Sequence, residues 1–293
     1  MQLIDKLNGL GVAMVTPFYK NGEIDFESLQ KLALQLIENG VDYLVLLGTT
    51  AETPTLCQEE RDQIVKAVVA VVNGKVPIIV GVGGPSTKEA VHKLESTDWT
   101  GVDAILSVTP FYNRPSQEGL YQHFKEIAAH SPRPVILYTV MSRTSCNLEP
   151  ETTLRLAALD NIIGVKEASG NFNQIMKIIK HKPADFLVIS GDDAITLPLL
   201  AVGINGLISV VGNAFPHEMS QIVHSAQNGD YVTARIYHEK MLDIMQACFK
   251  EGSPSGVKAF LTLQNKVEYH LRLPLTPVSD SLFQQITELN KQN

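Results

Sequence analysis

Eight short apolar runs, rich in Val, Ile and Leu, recur along the chain at fairly even intervals: 11–17, 43–48, 76–83, 104–110, 134–140, 162–169, 186–193 and 206–213. Within each run the hydrophobic residues are nearly continuous instead of alternating. A strand with one face in water alternates; a strand buried on both faces does not, and parallel sheets covered by helices are the usual source of such strands. Helical patterns fill the intervals. Leu29, Leu32, Ala33, Leu36 and Ile37 recur at helical spacing behind Asp25, a candidate N-cap, and Asn39-Gly40 closes the segment. Ser86-Thr87-Lys88-Glu89 has the form of a capping box, and Leu120, Phe124 and Ile127 mark a further amphipathic helix. Eight strand–helix alternations predict an α/β fold of the (β/α)8 TIM-barrel type. The alternative is a doubly wound open sheet. That fold binds nucleotide at a glycine-rich first turn, whereas the first run here leads into Thr16-Pro17-Phe18.

The catalytic barrel is expected over residues 1–229. A small C-terminal helical region is expected over 230–293, its pattern broken around 252–256 and at Pro274 and Pro277. With 44% hydrophobic and 19% charged residues in 293, the composition is that of an ordinary globular protein. The net charge of −7 and the absence of a basic stripe argue against nucleic acid or an anionic membrane surface as partner. No apolar run approaches the length of a membrane span, and Met1-Gln2-Leu3-Ile4-Asp5 lacks the form of a signal peptide. Three widely spaced cysteines, Cys57, Cys146 and Cys248, suggest a reducing compartment, so a cytoplasmic protein is expected.

A barrel carries its chemistry at the C-terminal ends of its strands. Thr49 and Thr50 follow the second run, Phe111 and Tyr112 the fourth, and Gly191-Asp192-Asp193 ends the seventh. The fifth run carries Tyr138 and leads to Arg143. Lys166 stands out because it follows Ile162, Ile163, Gly164 and Val165 within an apolar strand. On spacing alone the commoner case is a lysine whose ammonium reaches water. The other reading is a nucleophilic amine: a free lysine has a pKa near ~10.4, and an apolar pocket or a neighbouring cation, for which Arg143 is a candidate, lowers it. Imine chemistry also needs groups that pass protons, and Tyr138 and Tyr112 qualify, although tyrosines also plug barrel mouths. A Thr-Thr pair suits a carboxylate or a proton path but is often only a turn or cap. Arg143 suits a carboxylate through its planar fork, or a plain surface ion pair. None of the eight histidines falls in a strand run, and no ligand spacing on a helix suggests a metal.

Several segments together resemble dihydrodipicolinate synthases across essentially the whole chain. They are the stretch from Gly48-Thr49-Thr50-Ala51-Glu52 to Leu56, Tyr112-Asn113-Arg114-Pro115, the stretch from Tyr138 to Thr144, Gly164-Val165-Lys166-Glu167-Ala168-Ser169-Gly170, and Arg272-Leu273-Pro274-Leu275. The resemblance implies condensation of pyruvate with aspartate β-semialdehyde to 4-hydroxy-tetrahydrodipicolinate, on the route to diaminopimelate and lysine. It implies that Lys166 forms an imine with pyruvate, that Tyr138 donates and accepts protons beside it, and that Thr49 and Tyr112 complete a relay. It further implies that Thr50 and Ile208 hold pyruvate and that Arg143 binds the carboxylate of the semialdehyde. No cofactor or metal is implied. Because the second tyrosine of the family reaches in from a neighbouring subunit, a tight dimer, usually within a homotetramer, is implied as well.

The sequence departs from the family pattern at Ala51, Thr139, Met141 and Ser145, where Gly, Asn, Pro and Gly are common. Phe111, Pro85 and Gln58 also stand where lysine-inhibited members carry Tyr, Asn and His, while Glu89 is kept, so weak or absent inhibition by lysine is expected. Two other readings compete. A sugar-acid lyase of the same superfamily would share Lys166 and Tyr138 but wants neutral partners where Arg143 stands. A catalytically dead barrel should have lost one of Lys166, Tyr138 or Arg143.

Overall fold

The computed structural model describes residues 2–292. Eight parallel strands close into a barrel in sequence order: β1 (Leu10–Ala13), β2 (Tyr43–Leu46), β3 (Ile78–Gly81), β4 (Ala104–Val108), β5 (Val135–Thr139), β6 (Ile162–Glu167), β7 (Leu187–Ser190) and β8 (Gly206–Ser209), with β8 pairing back onto β1. The expected TIM barrel is the fold. The strands are shorter than the apolar runs, because the run ends continue as buried loops at the C-terminal mouth: Met14, Val15, Val82, Val210 and Val211 lie beyond their strands and are buried.

Two apolar layers explain the near-continuous hydrophobicity. Residues such as Val45, Ile79, Ile136, Ile189 and Ile208 fill the barrel interior, while Leu44, Val80, Leu137 and Val188 face the surrounding helices. Alternate residues of each strand therefore meet different partners, and both are dry. The helices form where their signals predicted. Helix Phe26–Glu38 starts at Asp25, whose side chain accepts from the Ser28 amide, and buries Leu29, Leu32, Ala33 and Leu36. Ser86 caps helix Thr87–Ser96 through the Glu89 amide. Leu120, Phe124 and Ile127 are buried in helix Gln117–His130.

After β8, helix Pro216–Gln227 closes the barrel, and helices Tyr231–Phe249, Ser255–Leu263 and Asp280–Lys291 follow. Helix Tyr231–Phe249 packs against Pro216–Gln227 and then reaches the mouth, where Met245, Gln246 and Phe249 form part of a cavity wall. The C-terminal region thus covers the end of the barrel at which the strand-end residues emerge.

Candidate active site

The inward aim of Lys166 depends on an irregularity in β6. Val135 pairs with Ile162 but Ile136 pairs with Gly164, so Ile163 is an extra residue in the ladder. Ile162 belongs to the outer layer, and in a regular strand every second residue, Lys166 included, would share that face. The bulge reverses the alternation: Val165 faces out, Lys166 faces in, and Glu167 faces out to accept from Gln174 Nε2 at 2.8 Å. Burial raises the Glu167 pKa above the ordinary carboxylate value.

Inside the mouth lies a cavity of about 390 Å³ whose lining includes Thr49, Thr50, Tyr138, Arg143 and Lys166. Lys166 is 5% exposed, and its amine lies 4.5 Å from the centre of the Tyr138 ring, the residue opposite it in the ladder. Among the described residues no carboxylate pairs with that amine. Room for the side chain comes from Gly191 just after β7: a Cβ there would stand 2.8 Å from Lys166 Cε and equally close to Ala168 Cβ.

Thr49 and Thr50 occupy the short turn Thr49–Ala51, Thr50 buried and Thr49 partly so. The turn is tied to the loop after β1 by Thr16, whose hydroxyl donates to the Ala51 carbonyl at 2.8 Å. Arg143 sits on the exposed turn Met141–Thr144, and its Nη2 donates to the Ser253 carbonyl at 3.4 Å. Thr144 anchors that turn, donating to the Cys146 carbonyl at 2.9 Å and accepting from Thr109 at 3.2 Å. Thr139, one of the departures from the family pattern, points away from the cavity and accepts from the Leu148 amide.

Five of the seven candidate residues therefore share one cavity, and two do not. Ile208 is fully buried in β8, among the side chains that fill the barrel interior. Tyr112 is 95% exposed, in a left-handed backbone conformation (φ 72°), outside its own chain's cavity. A second cavity, of about 350 Å³, shares Thr49, Tyr138 and Arg143 with the first and runs out to Phe111, next to Tyr112 in the chain.

The two aspartates after β7 separate in role. Asp193 is buried and ties β7 to β8, its carboxylate accepting from Ser209 Oγ and from the Val210 amide; burial pushes its pKa up to about 6. Asp192 lines the cavity. Sequence reasoning missed the wall formed by Met245, Gln246, Phe249 and Ser253, because nothing in a helical pattern says which end of a barrel it will cover. It named Gly191 only as a strand end; a glycine directly after an apolar run was the available signal.

The dihydrodipicolinate synthetase family model matches residues 6–293. A 4-hydroxy-tetrahydrodipicolinate synthase of Parabacteroides distasonis is 50% identical over 287 residues, covering 98% of this chain and 97% of that protein. The Bacillus subtilis enzyme of the same name is 45% identical over 285 residues, covering 96% and 98%. Among solved structures, dihydrodipicolinate synthase from Thermotoga maritima superposes with a TM-score of 0.94 at 40% identity, covering 97% of each chain. A monomeric dihydrodipicolinate synthase variant superposes with a TM-score of 0.95 at 39% identity, covering 99% of this chain and 97% of that one.

Proposed function

The chain belongs to the dihydrodipicolinate synthetase family, and on that premise we propose that it condenses pyruvate with L-aspartate 4-semialdehyde to 4-hydroxy-tetrahydrodipicolinate, in the diaminopimelate route to lysine. The observation that carries this reading is Lys166, a buried amine with no carboxylate partner among the described residues, aimed into a cavity beside a tyrosine.

The Lys166 amine adds through its nitrogen lone pair to the keto carbon of pyruvate. The carbinolamine oxygen takes up protons and leaves as water, giving the imine. Loss of a proton from the methyl carbon then gives an enamine, whose carbon bonds to the aldehyde carbon of the second substrate while the aldehyde oxygen gains a proton and the imine re-forms. The amino group of the second substrate then adds to the imine carbon, and the C–N bond to Lys166 breaks with proton transfer to its nitrogen, which closes the ring and frees the lysine. Each proton needs a carrier within reach, and Tyr138, beside the amine, is that carrier in this reading. Thr49 continues the relay and Thr50 holds the pyruvate carboxylate, both from the turn after β2. Ile208 does not line the cavity but packs in one apolar cluster with Ala13 and Val45, which do, and in this reading it supports the pyruvate pocket from behind. Arg143, on the rim, takes the carboxylate of the semialdehyde as a planar fork. The chemistry uses no cofactor and no metal, since the covalent imine is itself the electron sink.

Tyr112 completes the relay of a partner subunit. Its exposure supports this assignment, as does the cavity that runs from Phe111 to Thr49 and Tyr138 and offers a partner's tyrosine an entry. The working form is then a homotetramer built from tight dimers, in the cytoplasm. Among the described residues no helix is long and apolar enough to cross a membrane. Lysine inhibits weakly or not at all: Gln58 donates to Asp62 at 2.7 Å, and Phe111 has no hydroxyl to offer.

The test is borohydride reduction with pyruvate, read by intact mass. A mass gain that disappears in Lys166→Ala is expected; no gain, or a gain that survives the substitution, overturns the Schiff-base assignment. Turnover with aspartate semialdehyde and not with N-acetylneuraminate separates this reading from that of a sugar-acid lyase. Strong inhibition at low lysine concentration would sink the feedback prediction.

A further inference from the structure

Directly behind the Thr49–Ala51 turn, Glu52 adopts a left-handed conformation (φ 56°, ψ 33°) that side chains other than glycine rarely take up without support. The support is visible. Glu52 is 1% exposed and Lys258 is fully buried, and the two form an ion pair from opposite ends of the sequence. The second Glu52 oxygen accepts from the Arg272 amide at 3.0 Å. Lys258 Nζ also donates to the His270 carbonyl at 3.0 Å and lies 4.4 Å from the centre of the Phe18 ring. Arg272 fastens the same segment further along, donating to the Thr55 carbonyl at 2.9 Å and to Glu60. Thr53 Oγ1 donates to the Gly48 carbonyl at 2.9 Å and closes the turn from its other side.

A buried ion pair adds little net stability over an apolar pair of the same shape, because desolvation offsets the attraction. What it adds is a single geometry: the carboxylate has one place where both oxygens are satisfied, and the turn preceding it must follow. Burial draws the Lys258 pKa down to about 8, while Glu52 beside it pulls the other way.

We infer that Glu52 and Lys258 are positioning residues for the reaction, holding the turn that presents Thr49 and Thr50 to pyruvate. This rests on the pyruvate reading above. Neither residue touches the cavity. The C-terminal region therefore acts on the site twice, by walling the cavity and by locking the threonine turn.

The experiment compares wild type with the double variant Glu52→Gln/Lys258→Met, which removes both charges and keeps the volume. Competent sites are counted by borohydride trapping at saturating pyruvate, and steady-state constants are expressed per trapped site. Glu52→Asp is the second variant, since it keeps both charges and shortens the reach by one methylene. The expected result is a rise of tenfold or more in KM for pyruvate and a comparable fall in kcat per site, with KM for the semialdehyde unchanged because Arg143 hangs on another loop; the fall in Glu52→Asp is smaller but has the same split. Wild-type constants per trapped site in both variants overturn the inference and leave the proposed function standing. No trapping in the wild type overturns both.

Discussion

Among the described residues two lysines are buried, Lys166 in the barrel and Lys258 in the C-terminal helix Ser255–Leu263, and their surroundings differ in kind. Lys258 is enclosed with a carboxylate, a carbonyl and an aromatic face around its ammonium. Lys166 opens on a cavity, with the Tyr138 ring beside it and, among the described residues, no carboxylate paired with its amine. Burying a charge is costly unless it is paired. The pairing of Lys258 meets that cost and commits the residue to structure. The open side of Lys166 leaves its amine free to react. Burial alone does not distinguish the two; the partners do.

The comparison breaks first at Lys166. Lys166→Ala should remove the pyruvate adduct and lower kcat by about 10³-fold or more, as loss of a covalent nucleophile does, while the denaturation midpoint stays near wild type. A large loss of stability would mean that this lysine is structural after all. The opposite pattern belongs to Lys258. Lys258→Ala strands the Glu52 carboxylate in a dry site and should cost about 3–5 kcal/mol in urea denaturation, the usual penalty for breaking a buried pair. If that variant is as stable as the wild type, the pair is not buried in solution.

A third substitution sharpens the contrast by moving Lys166 without removing it. In Gly191→Ala the new methyl must displace Lys166 Cε or Ala168. A misplacement of that size lowers turnover by about 10²-fold. Trapping by borohydride should persist, more slowly; unaltered kcat would show that the lysine has room to spare.

The smallest effect lies at the outer edge of the Lys258 network. Arg272, hydrogen-bonded to Glu60, holds that carboxyl's pKa down at about 2, against 4.5 for an ordinary glutamate. A depressed folded value stabilises the native state above the unfolded pKa, and the contribution fades as pH falls from 4.5 toward 2. Glu60→Gln should therefore cost about 1 kcal/mol at neutral pH, a modest figure because the pair is partly solvated. The gap between the two proteins should narrow through the acid window. A gap independent of pH would detach Glu60 from the network.

Much of this was legible in the linear sequence. Eight near-continuous apolar runs separated by helical patterns have few solutions other than a closed parallel barrel, since both faces of every strand must be covered. The position of Lys166 in an apolar run, followed by the motif resemblance around Thr49, Tyr138 and Arg143, marked the residues that the fold gathers at one mouth. Those residues are recognisable because several motif segments agree together, where residue type and strand position alone left each of them open.

Glu52 was read only as part of a motif and Lys258 not at all, because an ion pair spanning more than two hundred residues leaves no local trace. The cavity wall from the C-terminal helices was missed for the same reason. Even the aim of Lys166 was undecided in the chain: alternation counted from Ile162 turns it outward, and only the bulge at Ile163, set by how β6 must pair with β5, turns it in. The sequence by itself determined the barrel and, through the resemblance of several motifs, singled out Lys166 as the candidate amine, since hydrophobic pattern and motif content are carried by local stretches of chain. Tertiary structure alone decided which way that amine points and what locks the threonine turn before it, since register and long-range charge pairing exist only once the chain has closed on itself.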